Sequence, residues 1–300
     1  MRIRVLTAVI LITATLLMNS CGESDSVGPP DPNPFAGLEF GDDDHFEIVT
    51  WNLKEFPLQA DATIEAVAYA VESMDADVIG LQEINSGYRF NQLVDALPGY
   101  TGYRSGDNSF NLAWLYKTAT VTVDTIYEIF PDEQPLPRAP LVMECEWNDA
   151  PLVLIDNHFK CCGNGTIDYF DSWDEEYRRL QSCLMIHQYI TDEFPDSRVV
   201  MVGDLNDYLT DETLNNVFNV FIDDPLNFRF ADMAIAQGLE SIPSYITGGH
   251  LDHIMVSNEL FTAVDSVDGV VRTINLDARF STYRSVISDH RPVGMKISLD

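Results

Sequence analysis

The feature that most constrains this chain is a set of short apolar runs, each meeting a polar side chain that cannot be buried alone. EIVTWN ends in Asn52, VIGLQE in Glu83 and VLIDNH in His158, while VVMVGDLN passes through Gly203 into Asp204 and Asn206. LDHIMVS begins with Asp252, and SDHRPV sets Asp289 and His290 ahead of a last apolar run. Apolar runs of this length, bounded by turn residues, predict buried strands. A carboxylate at the mouth of such a strand is costly to desolvate unless a metal, a cation or several donors meet it. One polar strand end is commonplace, because turns favour Asn and Asp. Six such places in one domain, mixing carboxylates, amides and histidines, predict a shared site.

Between these runs the pattern alternates. Helical periodicity is predicted over Asp61–Met74, with Asp61 as the N-cap, over residues 86–97, and from about 171 to 194. Strands are predicted at 46–51, 77–82, 112–117, 120–129, 141–147, 152–158, 198–202, 250–257, 266–274 and 292–299. The four from 112 to 158 follow one another with short connections, which implies antiparallel pairing. Many strands with few helices imply an α/β (α+β) four-layer sandwich, two mixed sheets face to face with helices outside. No internal repeat is visible, so residues 45–300 read as one domain.

The first 44 residues read differently. Arg2 and Arg4 precede an apolar stretch, 5–18, too short to span a membrane and suited to a secretory signal over residues 1–20. Cys21 follows Asn19 and Ser20, a spacing similar to the lipobox of bacterial lipoproteins, with Met18 where leucine is usual. That resemblance implies a lipidated Cys21 and an exported protein held to a membrane, facing periplasm or cell exterior. Residues 21–44, rich in Pro and acids, are expected to act as a flexible tether.

Net charge limits the partners. With 48 acids against 17 lysines and arginines, the formal charge is −31, which argues against a large basic face for nucleic acid. A phosphate substrate would have to be met by a metal or a few arginines. A monomer is expected. In an exported chain the four cysteines left after Cys21, namely Cys145, Cys161, Cys162 and Cys183, favour disulfides over metal ligation. Adjacent cysteines bond each other with difficulty, so Cys161 and Cys162 are expected to pair with Cys145 and Cys183.

The ordered set WN, QE, NxH, GDxN, LDHI and SDHRPV, from Trp51 to Val293, resembles the endonuclease/exonuclease/phosphatase superfamily, which includes secreted deoxyribonucleases, abasic-site endonucleases, inositol-polyphosphate phosphatases and neutral sphingomyelinases. The resemblance implies a metal-dependent phosphoesterase, most simply a nuclease or other phosphodiesterase working by direct attack of water. Glu83 is then the principal ligand for Mg²⁺ (or Mn²⁺ or Ca²⁺), with Asp289 as a second carboxylate; hard oxygen donors suit such ions. Asp204 and Asn206 orient the attacking water, Asp252 fixes the tautomer of His290 at the scissile phosphate, and His158 lies near the leaving group. Asn52 supports metal or phosphate, and Arg138, in PRAPL, contacts phosphate. Secreted deoxyribonucleases keep an acid to support the first histidine, where this chain has Phe110 and Asn111. Other substrates of the same fold, a phosphomonoester or sphingomyelin, stay open, as does a non-catalytic surface module. A calcineurin-like phosphoesterase would also show DxH, as in Asp156 to His158, and GDxxD, as in Asp204 to Asp207, but it should open with DxH and carry a later GNH, and this chain does neither. His45, His187, His250 and His253 read as structural.

Overall fold

The apolar runs form strands that are buried on both faces. In β1 (Phe46–Phe56), Phe46 and Ile48 join one apolar cluster while Val49 and Trp51 join another. This is the alternation expected of a strand covered on both sides. The computed structural model describes residues 33–106 and 110–299, so the signal segment, Cys21 and the first part of the spacer lie outside the described residues. No helix among the described residues is long and apolar enough to cross a membrane.

From β1 the chain passes through α1 (Asp61–Met74) to β2 (Val78–Ile84), then α2 (Gly87–Asp95), β3 (Tyr100–Arg104) and β4 (Asn111–Lys117). The second half holds β5 (Val121–Glu128), β6 (Leu141–Trp147), β7 (Ala150–His158), α3 (Glu175–Glu193), β8 (Val199–Asp204), β9 (Phe228–Phe230), β10 (Asp252–Ser257), β11 (Val270–Thr273) and β12 (Val293–Ile297). Two six-stranded sheets result, ordered β11-β12-β1-β2-β4-β3 and β5-β6-β7-β8-β10-β9. Each is mixed, with one parallel pair, β1 with β2 and β7 with β8, linked through α1 and α3. One apolar cluster fills the space between the sheets, and two others pack α1 and α2 on the first sheet and α3 on the second. These are the four layers expected.

The parallel pairs place the site. β1, β2, β7 and β8 all run toward the same edge of the sandwich, and β10, antiparallel to β8, starts there with Asp252 opposite Asp204. Gly203 is required by this packing. Its φ is +146°, and a Cβ there would stand 2.0 Å from the Asn157 carbonyl oxygen of β7.

Several expectations are corrected. Asp61 does not cap α1; it is the first helical residue and pairs with Arg89, and no side chain caps that end. α3 starts at Glu175 rather than near 171, because the Asp174 carboxylate accepts the Tyr177 N–H and sets the N-cap. β3 and β9 were not expected: β3 is a partly exposed edge strand containing a glycine, and β9 is only three residues long. The spacer ends before residue 44. Phe35 and Phe40 are buried in the cluster beneath α1, and the folded unit begins at Asn33. Finally, no disulfide joins the four described cysteines. Cys145, on β6, is buried between the sheets, and Cys183, on α3, is buried in the cluster on the inner face of that helix.

Candidate active site

Two β-bulges aim the first polar residues. The pairing of β1 with β2 shifts between Asn52 and Phe56, and that of β2 with β4 shifts between Leu81 and Ile84. Bulges bend a strand and redirect its side chains. Here Glu83 adopts φ 63° and Lys54 φ 40°, left-handed values that are uncommon for residues with a Cβ. The Asn52 amide donates to Glu83 Oε1 (3.1 Å) and to Asp204 Oδ2 (2.8 Å), tying the two sheets together across the site. Glu83 Oε2 accepts the Glu55 N–H at 2.8 Å.

The centre is the group Asp204, Asp252 and His290, whose ligating atoms lie within 4.8 Å of one another. All three are buried. His290 Nδ1 bonds Asp252 Oδ2 at 2.7 Å, and its Nε2 lies 3.9 Å from Asp204 Oδ2. The backbone carbonyl of His290 accepts from the Tyr283 hydroxyl (2.6 Å) and the Trp51 indole (3.3 Å), and its N–H donates to Ser288 Oγ. These bonds fix the ring in place. Tyr245 bridges to it, with ring centroids 5.0 Å apart.

Burial opposes charge on His290, but Asp252 and Asp204 outweigh it and raise its pKa to about 10. Asp204 is pushed up to about 7, by burial first and then by Asp252 and Glu83, against the pull of His290 and Asn52. The environment therefore separates two neighbouring groups: an imidazolium that keeps its proton and a carboxylate that exchanges one near neutrality. Such divergence marks acid and base roles. Asn206, at φ 54°, donates its backbone N–H to Asp204 Oδ1 (3.1 Å) and its amide to the Phe159 carbonyl (3.3 Å).

His158 sits between the two halves, its Nε2 3.8 Å from Asp204 Oδ2 and 3.9 Å from Glu83 Oε1. Its Nδ1 is buried with no hydrogen-bond partner among the described residues, so no carboxylate supports it from behind. Burial, then Arg138 and His290, push its pKa well down, leaving a neutral ring. Arg138 lies at the same place: it donates to the Phe159 carbonyl at 3.4 Å, rests over the Phe110 ring, and feels Glu83 and Asp204. Asp289 is held by the Lys54 ammonium and is not one of the clustered acids at the centre. Lys54 itself was missed; the only signal was a lysine directly after the WN strand end in a strongly acidic chain.

Glu83 and Asp204 offer hard carboxylate oxygens that fit a small divalent ion with waters completing its shell, and Asn52 orients both through its NH2 while its own Oδ1 accepts the Lys54 N–H. A second cluster, Asp232 with His250 and His253, does not fit one. Asp232 Oδ2 accepts from both rings (2.9 and 2.6 Å), the Ser244 N–H donates to His250 Nδ1, and His253 Nε2 donates to the Asp207 carbonyl. Its ring nitrogens are satisfied, and the rings are structural as expected, like His45 on Asp42 and His187 on Asp224.

The model of the Endonuclease/Exonuclease/phosphatase family matches residues 49–290. No curated protein sequence matches the chain. Among solved structures it is similar to D. rerio TDP2 complexed with a single-strand DNA product (TM-score 0.68, 16% identity, 86% of this chain and 100% of that one). It is also similar to truncated Caenorhabditis elegans TDP2 (0.60, 16%, 85% and 98%). A third is a Bacteroides thetaiotaomicron mannosyl-6-phosphatase (0.57, 14%, 85% and 100%). At these identities the likeness is one of fold.

Proposed function

The chain belongs to the endonuclease/exonuclease/phosphatase family of phosphate-ester hydrolases, and from that premise we propose an exported, divalent-metal-dependent phosphodiesterase that works by direct attack of water. The observation that carries the reading is the buried cluster in which His290 Nδ1 bonds Asp252 Oδ2 at 2.7 Å and its Nε2 faces Asp204 Oδ2 at 3.9 Å. Asp204 takes the proton of the attacking water, and Asn206, bonded to Asp204 Oδ1, fixes the direction of approach. His290, cationic and held by Asp252, donates to a phosphoryl oxygen as negative charge develops there. Arg138 meets the same phosphate from the far side, and neutral His158 lies on the leaving-group side.

Glu83, its carboxylate oriented by the Asn52 amide that donates to it, would hold the metal ion, Mg²⁺ by its oxygen donors, and such an ion stabilises charge on the phosphoryl oxygens. The N-terminal reading places this activity outside the cytoplasm on a lipid anchor at Cys21, as a monomer. The acidic surface favours a small or locally gripped phosphate ester over a long polyanion track, because among the described residues only Lys54 and Arg138 join the His290 imidazolium as cations at the site.

The test is hydrolysis by the purified chain with Mg²⁺ and with chelator, on a chromogenic phosphodiester, DNA, RNA, sphingomyelin and a phosphomonoester. Chelator-sensitive turnover of diesters that His290→Ala removes is expected. Equal turnover by His290→Ala would sink the mechanism, preference for the monoester would move the chain to the phosphatases, and no turnover of any would favour a binding module.

A further inference from the structure

The loop that leaves His158 carries two adjacent thiols that the reaction does not use. Cys162 Sγ–H donates to Cys161 Sγ at 3.0 Å, and Cys162 is exposed. The other described cysteines are buried, one between the sheets and one under α3. Among the described residues, the sulfur that each thiol of the loop contacts is its neighbour's. The backbone is shaped to bring them together: Cys162 has φ +75° and Gly163 φ +107°. A buried guanidinium holds the turn, since Arg179 Nη1 donates to the carbonyls of Lys160 (2.7 Å) and Cys162 (2.9 Å). The Lys160 ammonium lies 3.9 Å from Cys161 Sγ.

We propose that Cys161 and Cys162 are a redox modification site, closing to a vicinal disulfide on reaction with a small-molecule disulfide and reopening with thiol. The exposed Cys162 thiolate attacks the reagent, forming a mixed disulfide and expelling one thiol. Cys161 Sγ then attacks Cys162 Sγ and expels the second. The two protein thiols are oxidised, the reagent is reduced, and both protons leave on the expelled thiols. Adjacent Cα atoms are about 3.8 Å apart, below the usual disulfide span of roughly 4.4–6.8 Å. Such a ring is strained and easily reduced, which suits a reversible switch rather than a staple.

The same hydrogen bonds connect the pair to the site. Phe159, three residues before Cys162, donates its N–H to the Asp204 carbonyl and accepts from Asn206 and Arg138. Arg179, which grips both ends of the pair, is itself bonded to Asp207 at 2.7 Å. Closing the ring therefore pulls on the segment that positions Asn206 and Arg138, and the two redox states turn substrate over at different rates.

The chain is equilibrated with reduced or with excess oxidised glutathione, alkylated, and digested with trypsin. Oxidation should leave the peptide 161–178 unalkylated and lighter by two hydrogens, restored on reduction. Two alkylated thiols after oxidation, or a covalent dimer through Cys162, overturns the site. This arm needs no knowledge of the reaction, so it stands or falls apart from the proposed hydrolysis. On a chromogenic phosphodiester, the oxidised-to-reduced rate ratio should differ at least twofold from unity and return to unity in Cys162→Ser. A wild-type ratio of unity overturns the coupling.

Discussion

Replacing Asp252 with Asn isolates what one buried charge does to the protonation of the site. The substitution preserves shape and leaves the backbone bond from residue 252 to Ser244 Oγ in place. It removes a negative charge 2.7 Å from His290 Nδ1. In the native protein burial draws the His290 pKa down, and Asp252 with Asp204 lifts it to about 10. A hydrogen bond to a charged group contributes about 1.5–3 kcal/mol. At about 1.36 kcal/mol per pKa unit, its loss lowers His290 by roughly one to two units. Asp204 loses the same negative neighbour and falls below its present value of about 7. The bell-shaped rate profile should thus move as a whole to lower pH, its limbs belonging to the coupled group. Around pH 9 the variant should lose roughly two- to tenfold relative to its own neutral rate, where the native enzyme loses little. Initial rates on a chromogenic phosphodiester from about pH 5 to about pH 11, with circular dichroism to confirm folding, give the answer. Stability supplies a second reading. His290 has a folded pKa above its reference of 6.5, so its contribution is full below 6.5 and lost as pH rises through about 10. Asp252→Asn should flatten that decline. An unchanged alkaline limb in a folded variant would refute the assignment of His290 as the proton donor.

Three further outcomes are expected. Asp232→Asn leaves the His253 imidazolium buried without its counter-charge, which should cost about 3–5 kcal/mol in a denaturant melt. Although burial raises the Asp232 pKa, His253 and His250 hold it well below the carboxylate range, so its native contribution is present above 3.8 and lost as pH falls. Phe40→Ala, which empties the space a missing Cβ at Gly294 leaves for that ring, should cost about 3–5 kcal/mol in the same melt; a flat response would return residues 33–44 to the tether. Glu83→Gln should weaken Mg²⁺ binding in calorimetry by about tenfold or more while the fold persists, and unchanged affinity would move the ion elsewhere.

What the sequence made legible follows from which interactions have a period. Double-faced burial writes a continuous apolar run, so the strands of the two sheet centres could be placed from residues such as Ile48, Val49, Val200 and Met201. The polar residues that end those runs announce themselves by breaking the pattern. That is why Asn52, Glu83, His158, Asp204, Asn206, Asp252 and His290 stand out as candidates, and the structure brings them to one edge of the sandwich. Edge strands bury one face at most and lose the signal: β3 carries glycine and half-exposed positions, and nothing in its residues distinguishes it from a loop.

Pairing is where pattern gives way to geometry. Asp289 and Lys54 are 235 positions apart, and nothing local says that the carboxylate beside His290 will meet an ammonium set by a bulge after β1. Phe35 and Phe40 were hidden for a related reason. Two aromatics in an acidic, proline-rich stretch have no period, and their burial depends on a gap over Gly294 and on the cluster under α1. The cysteines show the same limit in sharper form. Compartment and an even count predict cross-links, but which sulfurs meet is decided by the fold: Cys145 is buried between the sheets and Cys183 on the inner face of α3, while Cys162 Sγ meets Cys161 Sγ. Chemistry at this site is therefore specified twice, once by residue types that break an apolar period and once by bulges and sheet faces that select partners. The second specification separates a protonated His290 from a proton-exchanging Asp204, and residue types alone do not contain it.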